Sequence, residues 1–122
     1  MSTNFIYYNK GALASKECKI IIDFYEDNKE YHTDGSVGLG EVNREKKKCR
    51  EMFILTNEIN PQSEYFSDLC KCLLDNIGKY VEDHPFLNNV NPWTLSQSFK
   101  IKKYLPKEAY FKTHCEMNGN TN

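Results

Sequence analysis

The chain has 122 residues with 17 acidic and 16 basic side chains, a formal net charge of −1, and so the size of one domain or part of one. A chain of this length buries about two-thirds of its unfolded surface around a single core. Its interleaved charges argue against a dedicated nucleic-acid surface, which relies on clustered Lys and Arg, and no apolar run approaches the ~18–20 residues of a membrane span.

The N-terminus, Met1 to Asn4, shows no basic segment followed by an apolar one, so no secretory signal is read there. The five cysteines (18, 49, 70, 72 and 115) are odd in number and lack a framework spacing. Together these features predict reduced thiols and a cytoplasmic setting.

Phe5 to Tyr8 is a short aromatic and β-branched run that predicts a first strand. Ser15 is a good N-cap for a helix over about 16–27, in which Cys18, Ile21, Ile22 and Tyr25 recur at helical spacing. Residues 28–47 are polar and punctuated by glycines, which predicts a loop or irregular hairpin. No Gly-Lys-Ser/Thr follows those glycines, so they do not make a phosphate loop. The basic run Arg44 to Arg50, broken by Glu45 and Cys49, reads as a solvated loop or strand edge.

Lys48 to Thr56, with Met52, Phe53, Ile54 and Leu55, predicts a strand. Asn60-Pro61 is a helix start signal, and a helix to about Val81 follows. Its Tyr65, Phe66, Leu69, Leu73, Ile77, Tyr80 and Val81 fall on one face, predicted to pack on the sheet that carries Phe99 and Ile101. Asp83-His84-Pro85 ends that helix, because the residue before a proline avoids the helical region. After an Asn/Pro loop and Trp93, Gln97–Tyr104 alternates as a strand, with Phe99 and Ile101 on one side. Leu105–Ala109 is a turn, and Tyr110–Thr113 a second strand that runs into His114-Cys115-Glu116.

His114 and Glu116 are spaced as His-x-carboxylate. In an extended segment residues i and i+2 face the same side, so an imidazole and a carboxylate converge on one point. Such a pair is two-thirds of the two-His-one-carboxylate set that holds non-haem Fe(II) in oxygenases. The pair alone recurs by chance in many chains, and its bland reading is an exposed loop. Cys115, between them, alternates to the opposite face as a packed thiol. His32 and His84 read as ordinary surface histidines, not as a third ligand. Cys70 and Cys72, two apart on a helix, cannot clamp zinc together. Tyr65, Tyr80 and Trp93 read as core before they read as base-stacking groups.

The segment from Gln97 through Tyr104-Leu105-Pro106 and Ala109-Tyr110-Phe111-Lys112-Thr113 to His114-Cys115-Glu116 resembles the hairpin of prolyl 4-hydroxylase-like members of the Fe(II)/2-oxoglutarate-dependent dioxygenase superfamily. There a strand ending in tyrosine, a Pro/Gly turn and an aromatic strand deliver the His-x-Asp motif. The preceding order is similar too: a short strand, a helix opened near Leu13 to Cys18, a variable loop, a strand and a long helix.

The resemblance implies an α+β domain. Helical support would span about 1–92 and the first strands of a double-stranded β-helix, or jelly roll, about 93–122, apparently truncated. It implies His114 and Glu116 as iron ligands, Tyr104 as the hydroxyl that meets the distal carboxylate of 2-oxoglutarate, and Phe111 as pocket wall. It further implies Fe(II) with 2-oxoglutarate as cosubstrate and ascorbate as an accessory reductant. O2 and a peptidyl proline or other protein side chain would be the co-reactant and substrate, with no nucleic acid or membrane partner. The carboxylate is Glu where the family usually has Asp. The second histidine and the Lys or Arg that anchors 2-oxoglutarate do not follow within these residues, so this chain alone is expected not to turn over. The rival reading is a non-catalytic α+β fragment or interaction module left from a split gene.

Overall fold

The computed structural model describes residues 4–60, 62–90, 92, 95 and 98–115. It is α+β: helix α1 (Ser15–Asp27), strands β1 (His32–Asp34) and β2 (Arg50–Ile54), helix α2 (Ser67–Asp83) and strand β3 (Phe99–Lys103). Two 3-10 turns, Lys29–Tyr31 and Pro85–Asn89, connect them. The sheet order is β1-β2-β3, with β1 antiparallel to β2 in the register His32↔Met52, Thr33↔Glu51, Asp34↔Arg50. The chain divides into two compact units, one of residues 1–29 and 54–99, the other of residues 30–53 and 100–122. No helix among the described residues is long and apolar enough to cross a membrane.

The first unit is organised by aromatic rings. Phe66 is fully buried and makes edge-on contacts with Phe24 at 5.2 Å and Phe99 at 5.6 Å between ring centres, while Phe24 also meets Tyr65 at 4.6 Å. Such pairs add about 0.5–1.5 kcal/mol each beyond area burial. Helix α1 ends within a residue or so of its predicted bounds, but its inward face differs. Tyr25 is buried and Phe24 carries the ring contacts, whereas Ile22 is 57% exposed and Cys18 exposed. Its N-cap is Ala14, with no side-chain cap bond, and not Ser15.

Helix α2 starts at Ser67, six residues later than Asn60-Pro61 predicts. The polar residues before it make local turns instead: Asn60 Oδ1 accepts the Gln62 N–H at 2.7 Å and Ser63 Oγ that of Tyr65 at 3.3 Å. These side-chain-to-backbone bonds compete with helical ones. The buried positions of its start are Phe66 and Cys70, whose thiol donates to the Ile59 carbonyl at 3.1 Å. Leu73, predicted at the centre of the packed face, is 40% exposed.

Phe5 to Tyr8 forms no strand. These residues run along α2, fixed by side chains and not by a ladder. The Tyr7 hydroxyl and Asn9 Nδ2 both donate to Asn76 Oδ1 (2.8 and 2.6 Å), and the Tyr80 hydroxyl donates to the Phe5 carbonyl at 3.0 Å. His84 is no surface histidine: it is 2% exposed and stacks on Tyr80 at 4.3 Å. Its Nδ1 lies 3.0 Å from the Tyr80 carbonyl oxygen and its Nε2 3.0 Å from that of Asn4. With both nitrogens facing carbonyls it caps the end of α2 and holds the N-terminal segment, which removes it from the candidate metal ligands.

The second unit contains the strand β1, within the polar stretch predicted as a loop or irregular hairpin, where Val37 and Glu41 also pair in an antiparallel bridge across Gly38-Leu39-Gly40. Its core is unusual in being ionic. Lys47 and Glu51 are 3% and 2% exposed and pair at 3.2 Å. Lys100 donates to the other carboxylate oxygen at 2.7 Å, and the Ser36 hydroxyl donates to that same oxygen at 3.2 Å. Lys47 Nζ also donates to the Ser36 carbonyl at 2.9 Å. Every oxygen and ammonium is thereby partnered, the condition under which buried charge is tolerated. Gly35 is required by space: a Cβ there would run into Cys49 Sγ.

Candidate functional site

The predicted site lies on the segment that follows β3. Its turn is as expected at Pro106-Lys107, with Lys107 at φ 70° and the Glu108 N–H donating to the Leu105 carbonyl at 2.9 Å. The return segment does not form the strand predicted over Tyr110–Thr113: it bends at Lys112, and the rings of Tyr110 and His114, four residues apart, come together. It makes a single bridge, Tyr110 to Lys47, flanked by Lys48 N–H to the Ala109 carbonyl at 2.9 Å and Phe111 N–H to the Lys46 carbonyl at 2.6 Å. Pairing therefore stops at Phe111, and the next residues leave the sheet.

His114 is exposed. Its ring stacks on Tyr110 with centres 3.8 Å apart and planes 14° from parallel. Its Nδ1 lies 3.0 Å from the Lys112 carbonyl oxygen. A carbonyl only accepts, so in the neutral ring Nδ1 carries the hydrogen and the lone pair sits on Nε2. That tautomer, fixed by a bond to a backbone carbonyl, is the one a metal-ligating histidine adopts. Glu116 lies outside the described residues, as does Trp93. Cys115, predicted as a packed thiol, is exposed, in keeping with the early end of the strand. Among the described residues no group of three or more His, Cys, Asp or Glu side chains comes together to hold a metal.

Tyr104 is 41% exposed, one residue beyond β3. Burial of its hydroxyl pushes the phenol up to about 12, reinforced by a hydrogen bond with the Cys49 thiol and by the negative charge of Glu51. The hydroxyl therefore stays protonated at any ordinary pH and can donate to an anion. Phe111 is 50% exposed. Tyr104 is engaged with Cys49 and His114 with Tyr110, so the two stand in one unit with different partners. Tyr110 is the residue that ties the predicted site to the ionic core: Lys47 Nζ sits 5.8 Å from its ring centre, within cation–π range.

Sequence reasoning overlooked the Lys47–Glu51–Lys100 network and the role of Cys49. One sign was available, since Glu51 and Met52 are adjacent in a β-rich run, but pattern alone does not show that both are buried. All five cysteines are free thiols. Compared with known proteins, the chain matches no family model, no curated protein and no solved structure.

Proposed function

We propose that these residues belong to an Fe(II)- and 2-oxoglutarate-dependent dioxygenase domain of the prolyl 4-hydroxylase kind, acting on a peptidyl proline or another protein side chain. The observation that supports the reading is the His114 imidazole, stacked on Tyr110 with Nδ1 facing the Lys112 carbonyl, which is the tautomer that leaves the lone pair on Nε2. His114 and Glu116 would be two of the three protein ligands of a facial iron site. Tyr104, with its persistent hydroxyl proton, would donate to the distal carboxylate of 2-oxoglutarate, and Phe111 would line the pocket. Fe(II), 2-oxoglutarate and O2 supply the oxidising power when bound, and the protein's part is to hold and orient them. On this reading His114 is the one ligand of that set that falls among the described residues.

The test is an anaerobic titration of the 122-residue chain with Fe(II) or Co(II), followed by paramagnetic broadening of its amide resonances. Broadening should centre on residues 110–116, vanish in His114→Ala and weaken in Glu116→Ala. Broadening centred elsewhere, or indifferent to His114→Ala, removes the reading.

A further inference from the structure

The basic run Arg44 to Arg50, which the sequence presents as a solvated edge, borders a half-open cleft of about 230 Å³ in the second unit. Asp34, Gly35, Arg44, Lys47, Lys48, Cys49, Arg50 and Glu108 line it. This volume lies below the ~300–1,000 Å³ of pockets for drug-sized ligands. Only a small ligand fits.

The charges around it are unequal. Asp34 gives one carboxylate oxygen to Arg44 Nη2 at 2.7 Å and the other to Arg50 Nη1 at 2.9 Å, while Arg50 Nη2 donates to the His32 carbonyl at 2.9 Å. Hydrogen bonds from Arg44 and then Arg50 hold the Asp34 carboxyl below the usual carboxylate range, so it remains a fixed brace between two guanidinium groups. One carboxylate cannot neutralise both. Glu108, the other carboxylate on the wall, accepts the Leu105 N–H at 3.0 Å through Oε2. Lys48 is exposed on the wall, and among the described residues no carboxylate pairs with its ammonium. Behind the wall, Glu51 is shared between Lys47 and Lys100, which leaves a second surplus of positive charge. The net local excess is two positive charges, in a chain whose overall charge is −1.

We propose that this cleft is a binding site for a phosphate dianion, free or as a small phosphomonoester. Arg44, a planar fork of donors already oriented by Asp34, and Lys48, a point charge, would bind its oxygens. Asp34 positions Arg44 and Arg50 without touching the ligand. Gly35 is part of the lining, and a Cβ there would collide with Cys49 Sγ. The assignment uses neither His114 nor iron and stands apart from the dioxygenase reading.

The experiment is a titration of the full chain with inorganic phosphate at fixed ionic strength, read by amide chemical shifts, with chloride and succinate as parallel arms. Saturable shifts confined to residues 34–35 and 44–50 are expected with phosphate and not with chloride. Arg44→Gln and Lys48→Gln, both at exposed positions and checked for an unchanged spectrum without ligand, should each weaken binding about tenfold, the scale of one charge-assisted contact. No saturable response to phosphate, or a response that both variants leave unchanged, overturns the site. Succinate binding as tightly as phosphate overturns the phosphate assignment.

Discussion

Glu51→Gln should destabilise the protein by about 3–5 kcal/mol, the cost of leaving a buried ion without its partner. The structure places the magnitude at that level. Glu51 and Lys47 are both nearly inaccessible, so water cannot replace the lost charge, and the Lys47 ammonium would keep only neutral acceptors, the Ser36 carbonyl and the new amide oxygen. Lys100 contributes less to the loss, because its side chain is 36% exposed and can turn to solvent. The pH dependence follows from the same contacts. Burial pushes the Glu51 carboxyl up, but hydrogen bonds from Lys100 and Lys47 outweigh it and hold the group below the ordinary value of 4.5. A folded-state value below the unfolded one gives stability that is present above about pH 4.5 and is lost as pH falls through the folded value. Urea unfolding of wild type and Glu51→Gln at several pH values would measure both effects. Wild type should lose stability on acidification below that point, and the variant should lose less. The double change Lys47→Met with Glu51→Leu should recover most of the deficit, since well-packed apolar residues often substitute for a buried pair without loss. A Glu51→Gln loss under about 1 kcal/mol, or an acid limb unchanged by it, would show that water reaches this cluster and that the ionic core is misplaced.

Phe66→Ala should cost about 3–5 kcal/mol, the range for a buried aromatic truncated to Ala, whereas Leu73→Ala should cost clearly less because Leu73 is 40% exposed; denaturation midpoints of the two variants decide the order. The Tyr104 phenol should titrate near 12, well above the ~10 of a free tyrosine; absorbance at alkaline pH, with Tyr104→Phe as the difference spectrum, identifies it.

Elements driven by local apolar pattern were legible in the sequence. Helix α1, strand β2, the end of α2 before Pro85 and the alternation of β3 all follow from periodicity and from proline, which act within a few residues. The failures are long-range. Phe5 to Tyr8 has the composition of a strand, but its partners are the Tyr80, His84 and Asn76 side chains some 70 residues away. Nothing near His32–Asp34 marks a strand, because its register is supplied by β2. The start of α2 was misplaced because Asn60 and Ser63 bond their own backbone in turns, a choice that a capping residue permits as readily as a helix. At the site, the order of strand, turn and return was legible, but neither the bend at Lys112 nor the point at which pairing stops was. That point depends on the reach of the Lys46–Lys48 backbone, a partner that lies in a polar segment with no strand pattern of its own.

Both compact units are discontinuous, each assembled from two stretches of chain that alternate with those of the other. A chain synthesised from its N-terminus cannot complete the first unit until residue 99 has emerged, and the second only after that. The contacts that fasten Asn4 and Phe5 to His84 and Tyr80 close loops of 80 and 75 residues. Loop-closure entropy grows only by about 0.6 kcal/mol per doubling of length, so the equilibrium penalty is modest, but long-range closure slows the search. Each unit therefore needs both of its stretches before it can close, and a protease cut between residues 30 and 99 parts the continuity on which each depends.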